Sequence, residues 1–333
     1  MFLGDFYSNN KDPKKAKEYF ETALKLSREI KRADLEASVL SEAGQAYARS
    51  GAPDSAIEYY KKSAAIYHNI NDLADEAFQL RNEAWALNDL HKAQEAFEIA
   101  IKARVLADTS GSWVARYWTR RALAAGYENR GEFESALAVL LEARTISDSA
   151  HQQLNSAQTS LALAEAFIDI GGWEEARDAI NLSLPILRQF NDTDSEITAY
   201  SDLMDIFGAR ESGLRDFDKA LENYEAAYRM VRTNDPGRAA ALALGVEEIY
   251  WQQKRFKEAI AKVSEALDYY VLTKDDWDQG NALITLAEAQ RSGGDVHAAA
   301  ISLARAEPLV KRIHNFYMTG RLYYCLLYTS RCV

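Results

Sequence analysis

A short phrase returns eight times along this chain of 333 residues, at intervals close to forty, and that recurrence limits the fold more than any other feature. The copies are NKDPKKAKEYF, SGAPDSAIEYY, DLHKAQEAFEIA, RGEFESALAVL, GGWEEARDAI, LRDFDKALENY, QKRFKEAIAKV and GGDVHAAAISL. Registered on one alanine they give the column Ala16, Ala56, Ala93, Ala136, Ala176, Ala220, Ala259 and Ala299, with spacings of 40, 37, 43, 40, 44, 39 and 40. Self-similarity at such a period marks a stack of small supersecondary units, each unable to bury its own apolar face without a neighbour.

Other columns fall into register with the alanine. Three residues before it stands a ring or apolar plug: Pro13, Pro53, Leu90, Phe133, Trp173, Phe217, Phe256, Val296. Four residues after it comes a large apolar side chain, as in Phe20, Tyr60, Phe97 and Leu140, and seven after it a small one, as in Ala23, Ser63, Ala100 and Ala143. Offsets of four and seven share one stripe of an α-helix. An aromatic usually sits nine before the alanine, at Tyr7, Tyr47, Tyr127, Phe167 and Tyr250. In the sixth unit Phe207 comes four residues early, so GARESGLRDF is expected to carry a longer turn. Each unit therefore reads as a helical hairpin in which small residues admit close approach and large ones fill the groove beside them. Gly51, Gly131 and Gly172 suit the turn, and Pro13 and Pro53 the first turn of the second helix.

These columns resemble the tetratricopeptide repeat (TPR), and the first unit matches its motif with Leu3, Gly4, Tyr7, Ala16, Phe20 and Ala23. The resemblance covers residues 1–324, as eight units and a truncated ninth begun at Pro308, each about six residues longer than the common period of about 34. It implies an all-α fold, a right-handed α–α superhelical solenoid. It also implies a protein- or peptide-binding scaffold that uses a concave groove. Long-unit arrays of this look often serve as the sensory or regulatory arm of larger bacterial signalling proteins. Their effectors are a histidine kinase, a nucleotide cyclase, a CHAT protease or a helix-turn-helix regulator. That is the second reading.

The last nine residues, CLLYTSRCV, hold both cysteines, Cys325 and Cys332. Back-translation can yield TGT-CTC-TTA-TAC-ACA-TCT followed by AGA-TGT-GTA, which resembles a sequencing-library adapter end. Residues 325–333 are therefore expected to be a non-native tail, and Met1 need not be the natural start.

Composition bounds the chemistry. A net charge of −11 disfavours a nucleic-acid partner and an anionic membrane surface. No apolar run has the length of a membrane span, and a cytoplasmic location is expected. With no cysteine before residue 325, thiol catalysis, thiolate ligands and a disulfide framework drop out. The histidines His68, His91, His151, His297 and His314 stand singly, without metal-ligand spacing, and read as surface or turn residues. NDTDSE near Asp192 lacks the glycine and final glutamate of a calcium loop. There is no phosphate loop, dinucleotide fingerprint or nucleophile elbow. The expectation is a non-enzyme with no catalytic residues, no metal and no cofactor.

Recognition is the remaining job. In stacked hairpins the first helices line the inner face, and the residue two before the aromatic column points to it. This gives Asp5, Gln45, Asn82, Ala125, Glu165, Asp205, Glu248 and Glu288, whose last four members form an acidic ladder. Neighbouring inner positions add Arg49, Trp85, Trp118, Arg121, Asp169, Asp202 and Trp251. The expected partner groove comprises Gln45, Arg49, Asn82, Arg121, Glu165, Asp205, Glu248 and Glu288, able to hold a protein or peptide segment bearing Lys or Arg. The oligomeric state is left open. Lysine is missing where a carboxylate clamp for peptide tails would need it, because Phe78 stands there.

Overall fold

The computed structural model describes residues 13–330. The motif residues Leu3, Gly4, Asp5 and Tyr7, the side chain of Ala16, and Cys332 lie outside the described residues. Every regular element among those described is a helix. In chain order they are α1 (Pro13–Glu29), α2 (Ala33–Arg49), α3 (Pro53–Asn69), α4 (Leu73–Asp89), α5 (Ala93–Ser110), α6 (Trp113–Glu128), α7 (Phe133–Ser149), α8 (Gln153–Asp169) and α9 (Trp173–Gln189). They continue with α10 (Thr193–Gly208), α11 (Phe217–Val231), α12 (Pro236–Gly245), α13 (Glu247–Gln252), α14 (Phe256–Thr273), α15 (Asp276–Ser292), α16 (Val296–Ile313) and α17 (Phe316–Ser330).

The helices are metered by their turns. Left-handed residues at Lys31, Gly51, Asn71, His91, Gly111, Gly131, His151, Gly171 and Asn191 recur every twenty positions. The motif is complete at His91, whose N–H donates to the Asn88 carbonyl (2.8 Å) while Lys92 N–H reaches back to Leu87 (2.9 Å). Such a cap closes the freed carbonyls of the preceding helix. Three histidines, His91, His151 and His314, are thus turn residues. Gly171, not the expected Gly172, takes the left-handed turn position. Asp192 of NDTDSE caps α10, its Oδ1 accepting from the Ser195 N–H (3.3 Å). The metering is broken by residues 209–216, the long turn expected in the sixth unit, closed by Asp216 N–H on the Phe207 carbonyl (2.8 Å).

The regular metering corrects one registration. Ala93 begins α5 and is half-buried, whereas Ala96, three residues later, is buried at 1% exposure and matches Ala56 and Ala136 in their helices. The third unit is keyed on Ala96. Ala93 misled because it belongs to the same small-residue stripe, and the Leu90 and Phe97 chosen with it mimic the plug and the large column. A second correction concerns Pro308. It lies inside α16 rather than opening a ninth unit, at the position Pro185 holds in α9. The ninth first helix is α17, which starts at Phe316 and runs across the expected boundary at 324, with Cys325 buried among unit-two core residues.

The chain forms two compact units, divided after Ile186. In the first, successive helices from α1 to α8 pack as antiparallel neighbours, and first helices also touch, α2 on α4 and α4 on α6. Its core combines Ala56, Tyr60, Ala96, Ala100, Leu123 and Leu140. Close approach is real here: a Cβ on Gly44 would lie 2.6 Å from Tyr60 Cε1. The second unit repeats the scheme. There α10 packs on α11, α14 on α15 and α15 on α16, with α15 also against α17. Its cores centre on Tyr224 with Val246 and on Val263 with Leu283 and Leu303. The key alanines Ala220, Ala259 and Ala299 and the small residues Ala227, Ala266 and Ala306 are wholly buried. This is the architecture of an α-solenoid: no hairpin encloses its own apolar stripe, so each is covered by the next.

Candidate ligand-binding faces

The column expected to face inward falls at the thirteenth residue of the first helix of each hairpin. In unit one this is Gln45 of α2, Trp85 of α4, Ala125 of α6 and Glu165 of α8. Asn82 therefore drops out of the column: it moves with the corrected alanine, lies buried at 7% exposure, and hands its place to Trp85, which is 40% exposed. In unit two the position is held by Asp205 of α10, Glu248 of α13, which is thirteenth when counted from the start of α12, and Glu288 of α15.

Unit one builds its face around an arginine. Phe78, Arg81 and Trp85 are three and four residues apart on α4 and share one stripe. The Arg81 guanidinium carbon lies 4.3 Å from the centre of the Trp85 ring, 5.1 Å from Phe78 and 5.4 Å from Trp118 of α6. Its Nε and Nη2 donate to Asn82 Oδ1 at 3.2 and 2.5 Å. Burial lowers the Arg81 pKa to about 10, against the opposing influence of Tyr60. No carboxylate pairs with it among the described residues. Forty residues on, Arg121 repeats the spacing after Trp118, but here acids are at hand. Burial raises the Glu165 carboxyl above its ordinary range and Asp169 adds to this, while Arg121 pulls the other way. Glu128 is raised likewise, by burial first and then by Glu165. Gln45 is half-buried and Arg49 exposed at the end of α2.

Unit two has a pocket of about 340 Å³ between α10 and α12, lined by Thr198, Ser201, Asp202, Asp205, Arg238 and Gly245 with apolar neighbours. Water reaches Asp205, yet protein crowds it on several sides, as in a recess, and this burial raises its carboxyl to about 6. The other two acids are engaged. Glu248 accepts from Arg210 Nη2 (3.1 Å) and Gln252 Nε2 (3.2 Å). Glu288 accepts from Arg321 Nη2 (2.6 Å), and Arg321 also binds Asn281 Oδ1 (2.7 Å). The expected ladder is therefore not an uninterrupted row of open charges: Glu165 belongs to unit one, and Glu248 and Glu288 already hold arginines of their own chain. Trp251 is a packing residue, its Nε1 donating to Ser292 Oγ (2.9 Å) with Arg210 over its ring.

Comparison with known proteins agrees with this geometry. The tetratricopeptide repeat family is matched twice, over residues 1–69 and 210–280. The two matches and the stacked hairpins make this a TPR-type repeat protein. No curated protein sequence matches the chain. Among solved structures, the TPR chain is similar to the apo quorum sensor NprR from B. thuringiensis (12% identity, TM-score 0.64, covering 92% of this chain and 82% of that one). It is also similar to a Rap protein complexed with competence and sporulation factor (17% identity, TM-score 0.61, 86% and 77%). A third is a signal transduction ATPase with a tetratricopeptide repeat sensor from Pyrococcus horikoshii (15% identity, TM-score 0.67), of which the chain covers 48% while 96% of this chain is matched. At these identities the likeness is one of fold.

Several inner residues of this TPR array escaped the column reading. Arg210 and Arg321 decide which acids are free, Arg81 pairs with none of them, and none of the three occupies the thirteenth position. Arg81 was within reach, since FQLRNEAW places ring, guanidinium and ring on one helical stripe. Arg210 and Arg321 were not, because their partners lie 38 and 33 residues away. Among the described residues no three His, Cys, Asp or Glu side chains are grouped as a metal requires, and no helix is long and apolar enough to cross a membrane.

Proposed function

We propose that this TPR protein is a cytoplasmic, non-enzymatic scaffold that captures an extended protein or peptide segment on the faces of its first helices. The observation that carries this reading is the pocket between α10 and α12. It is an open recess of about 340 Å³ with hydroxyls at Thr198 and Ser201, two carboxylates, and an apolar wall. Such a mixture suits a backbone to be hydrogen-bonded and a lysine or arginine side chain to be paired. A cation entering would meet Asp205 in a partly desolvated place, where attraction exceeds that at an open surface.

The test is selection from a random decapeptide library displayed on phage, followed by titration of synthetic members. Lysine- or arginine-bearing sequences are expected, with affinity falling about tenfold, or about 1.4 kcal/mol, for Asp205→Asn. Failure to select any sequence would remove the proposal. A second reading, that the array is the sensory or regulatory arm of a bacterial signalling protein, is favoured by the similarity to an ATPase described as having a tetratricopeptide repeat sensor. The sequence of the full gene tests it: an effector domain in the same reading frame is expected, and a reading frame holding repeats alone would overturn it.

A further inference from the structure

We propose that Arg81, framed by Phe78, Trp85 and Trp118, is the anchor for a side-chain carboxylate of a bound peptide. This rests on the peptide-capture reading and gives unit one a ligand chemistry of its own.

The argument starts from two equivalent places in successive repeats. Phe78 and Arg81 on α4 stand where Trp118 and Arg121 stand on α6. Arg121 has its acids within the protein, Glu165 and Glu128. Arg81 has none: it forms no ion pair among the described residues, although it is the more enclosed by aromatic rings. Ring faces stabilise a guanidinium by on the order of 1 kcal/mol each but accept none of its hydrogen bonds in the way an oxygen does. Of the five donors that the group carries, those on Nε and Nη2 are turned to one amide oxygen of Asn82, and Nη1 donates to no described residue. A partly desolvated cation with an unused edge is complementary to a carboxylate, which it binds with two parallel hydrogen bonds.

The position also selects the kind of carboxylate. Arg81 lies on the middle of three first helices that touch in sequence, with α2 on one side and α6 on the other. An extended chain crossing it would continue in both directions and offer a side chain, Asp or Glu, rather than its end. Trp85, at 40% exposure, presents ring surface beside the charge for the aliphatic part of that residue.

The test uses the intact chain and a decapeptide library inserted between two structured segments of a phage coat protein, so that no free terminus is displayed. Selected members should carry Asp or Glu at one fixed position. As synthetic peptides blocked at both ends they should lose at least tenfold in affinity when that residue becomes Asn or Gln. In Arg81→Gln this loss should shrink to less than twofold, and Arg81→Lys should restore part of it. Arg144→Gln, on α7, should keep it whole. Helical content and melting of each variant are measured by circular dichroism, and Arg81→Lys carries the test should Arg81→Gln not fold. Binding that ignores the acid, or an acid dependence untouched by both Arg81 variants, leaves peptide capture standing and overturns the Arg81 assignment. Recognition restored only by an unblocked C-terminus overturns the side-chain source. A library yielding no binder overturns both.

Discussion

The two units use one scaffold and dispose of charge in opposite ways. In unit one the inner face offers Arg81 with ring partners and no acid, while the acid Glu165 lies near Arg121. In unit two the inner face is acidic by sequence, but Glu248 and Glu288 are occupied by Arg210 and Arg321, leaving Asp205 in its recess. Position in a repeat fixes where a side chain points. Whether its charge is available depends on residues a full repeat away. A solenoid can thus keep its hairpin geometry constant and still give different stretches of its inner face different ligand chemistries.

The harshest way to break the comparison is to overpack one unit and watch the other. Ala136 is wholly buried in the first turn of α7, one turn before the buried Leu140. Ala136→Trp should destabilise the α6–α7 hairpin by about 3 kcal/mol or more. Because each hairpin leans chiefly on its neighbours, hydrogen exchange should quicken in α6–α8 and stay nearly unchanged in α14–α16. Equal loss of protection in both would show that the units are one cooperative body and that their separation is only geometric.

A middle-sized effect belongs to unit two alone. Glu247 is buried at the start of α13, and burial first, then Glu248 and Glu288, raises its carboxyl to about 7, with Arg321 opposing. The folded state therefore holds a proton that the unfolded chain releases near its ordinary pKa of 4.5. Since the native state binds more protons in that window, stability falls as pH rises from about 4.5 to about 7, and the loss is complete above it. Glu247→Gln removes the titration. It should match the parent near pH 4 and exceed it at pH 8 by on the order of 3 kcal/mol in urea unfolding. A constant difference between the two across pH 4–8 would show that Glu247 stays ionised in the fold.

Much of this was readable beforehand, and the reason is physical. Burial of small residues at helix contacts and of large ones beside them repeats with the hairpin, so Ala56, Tyr60 and Ser63 announce their roles by spacing alone. The twenty-residue metering was hidden, because the turn needs only a residue that tolerates positive φ, and Lys, Asn, His and Gly all serve. That is how Ala93 came to stand in for Ala96 and carried Asn82 onto the inner face with it. Pro308 misled for a related reason. Proline is common at a helix start, but α16 accommodates it in its later part, and only the neighbouring left-handed residues Gly294 and His314 mark the true ends. The ion pairs of the inner faces were out of reach, since nothing in a single column reports what the adjoining helix brings to it.

The smallest effects sharpen the comparison most, because they separate charges that are present from charges that are free. The Glu248–Arg210 pair is about half exposed on both sides, and such pairs contribute between 0 and about 1 kcal/mol. Glu248→Lys exchanges that attraction for repulsion of Arg210, so the melt should fall by no more than about 3 °C. For capture of a lysine-bearing decapeptide the two acids should differ. Asp205→Asn removes a carboxylate with no described cationic partner and should weaken binding about tenfold. Glu248→Gln removes one already committed to Arg210 and should weaken it less than threefold. Were Glu248→Gln the more damaging of the two, ligand would have to displace Arg210, and the acids of unit two would act together as a ladder after all.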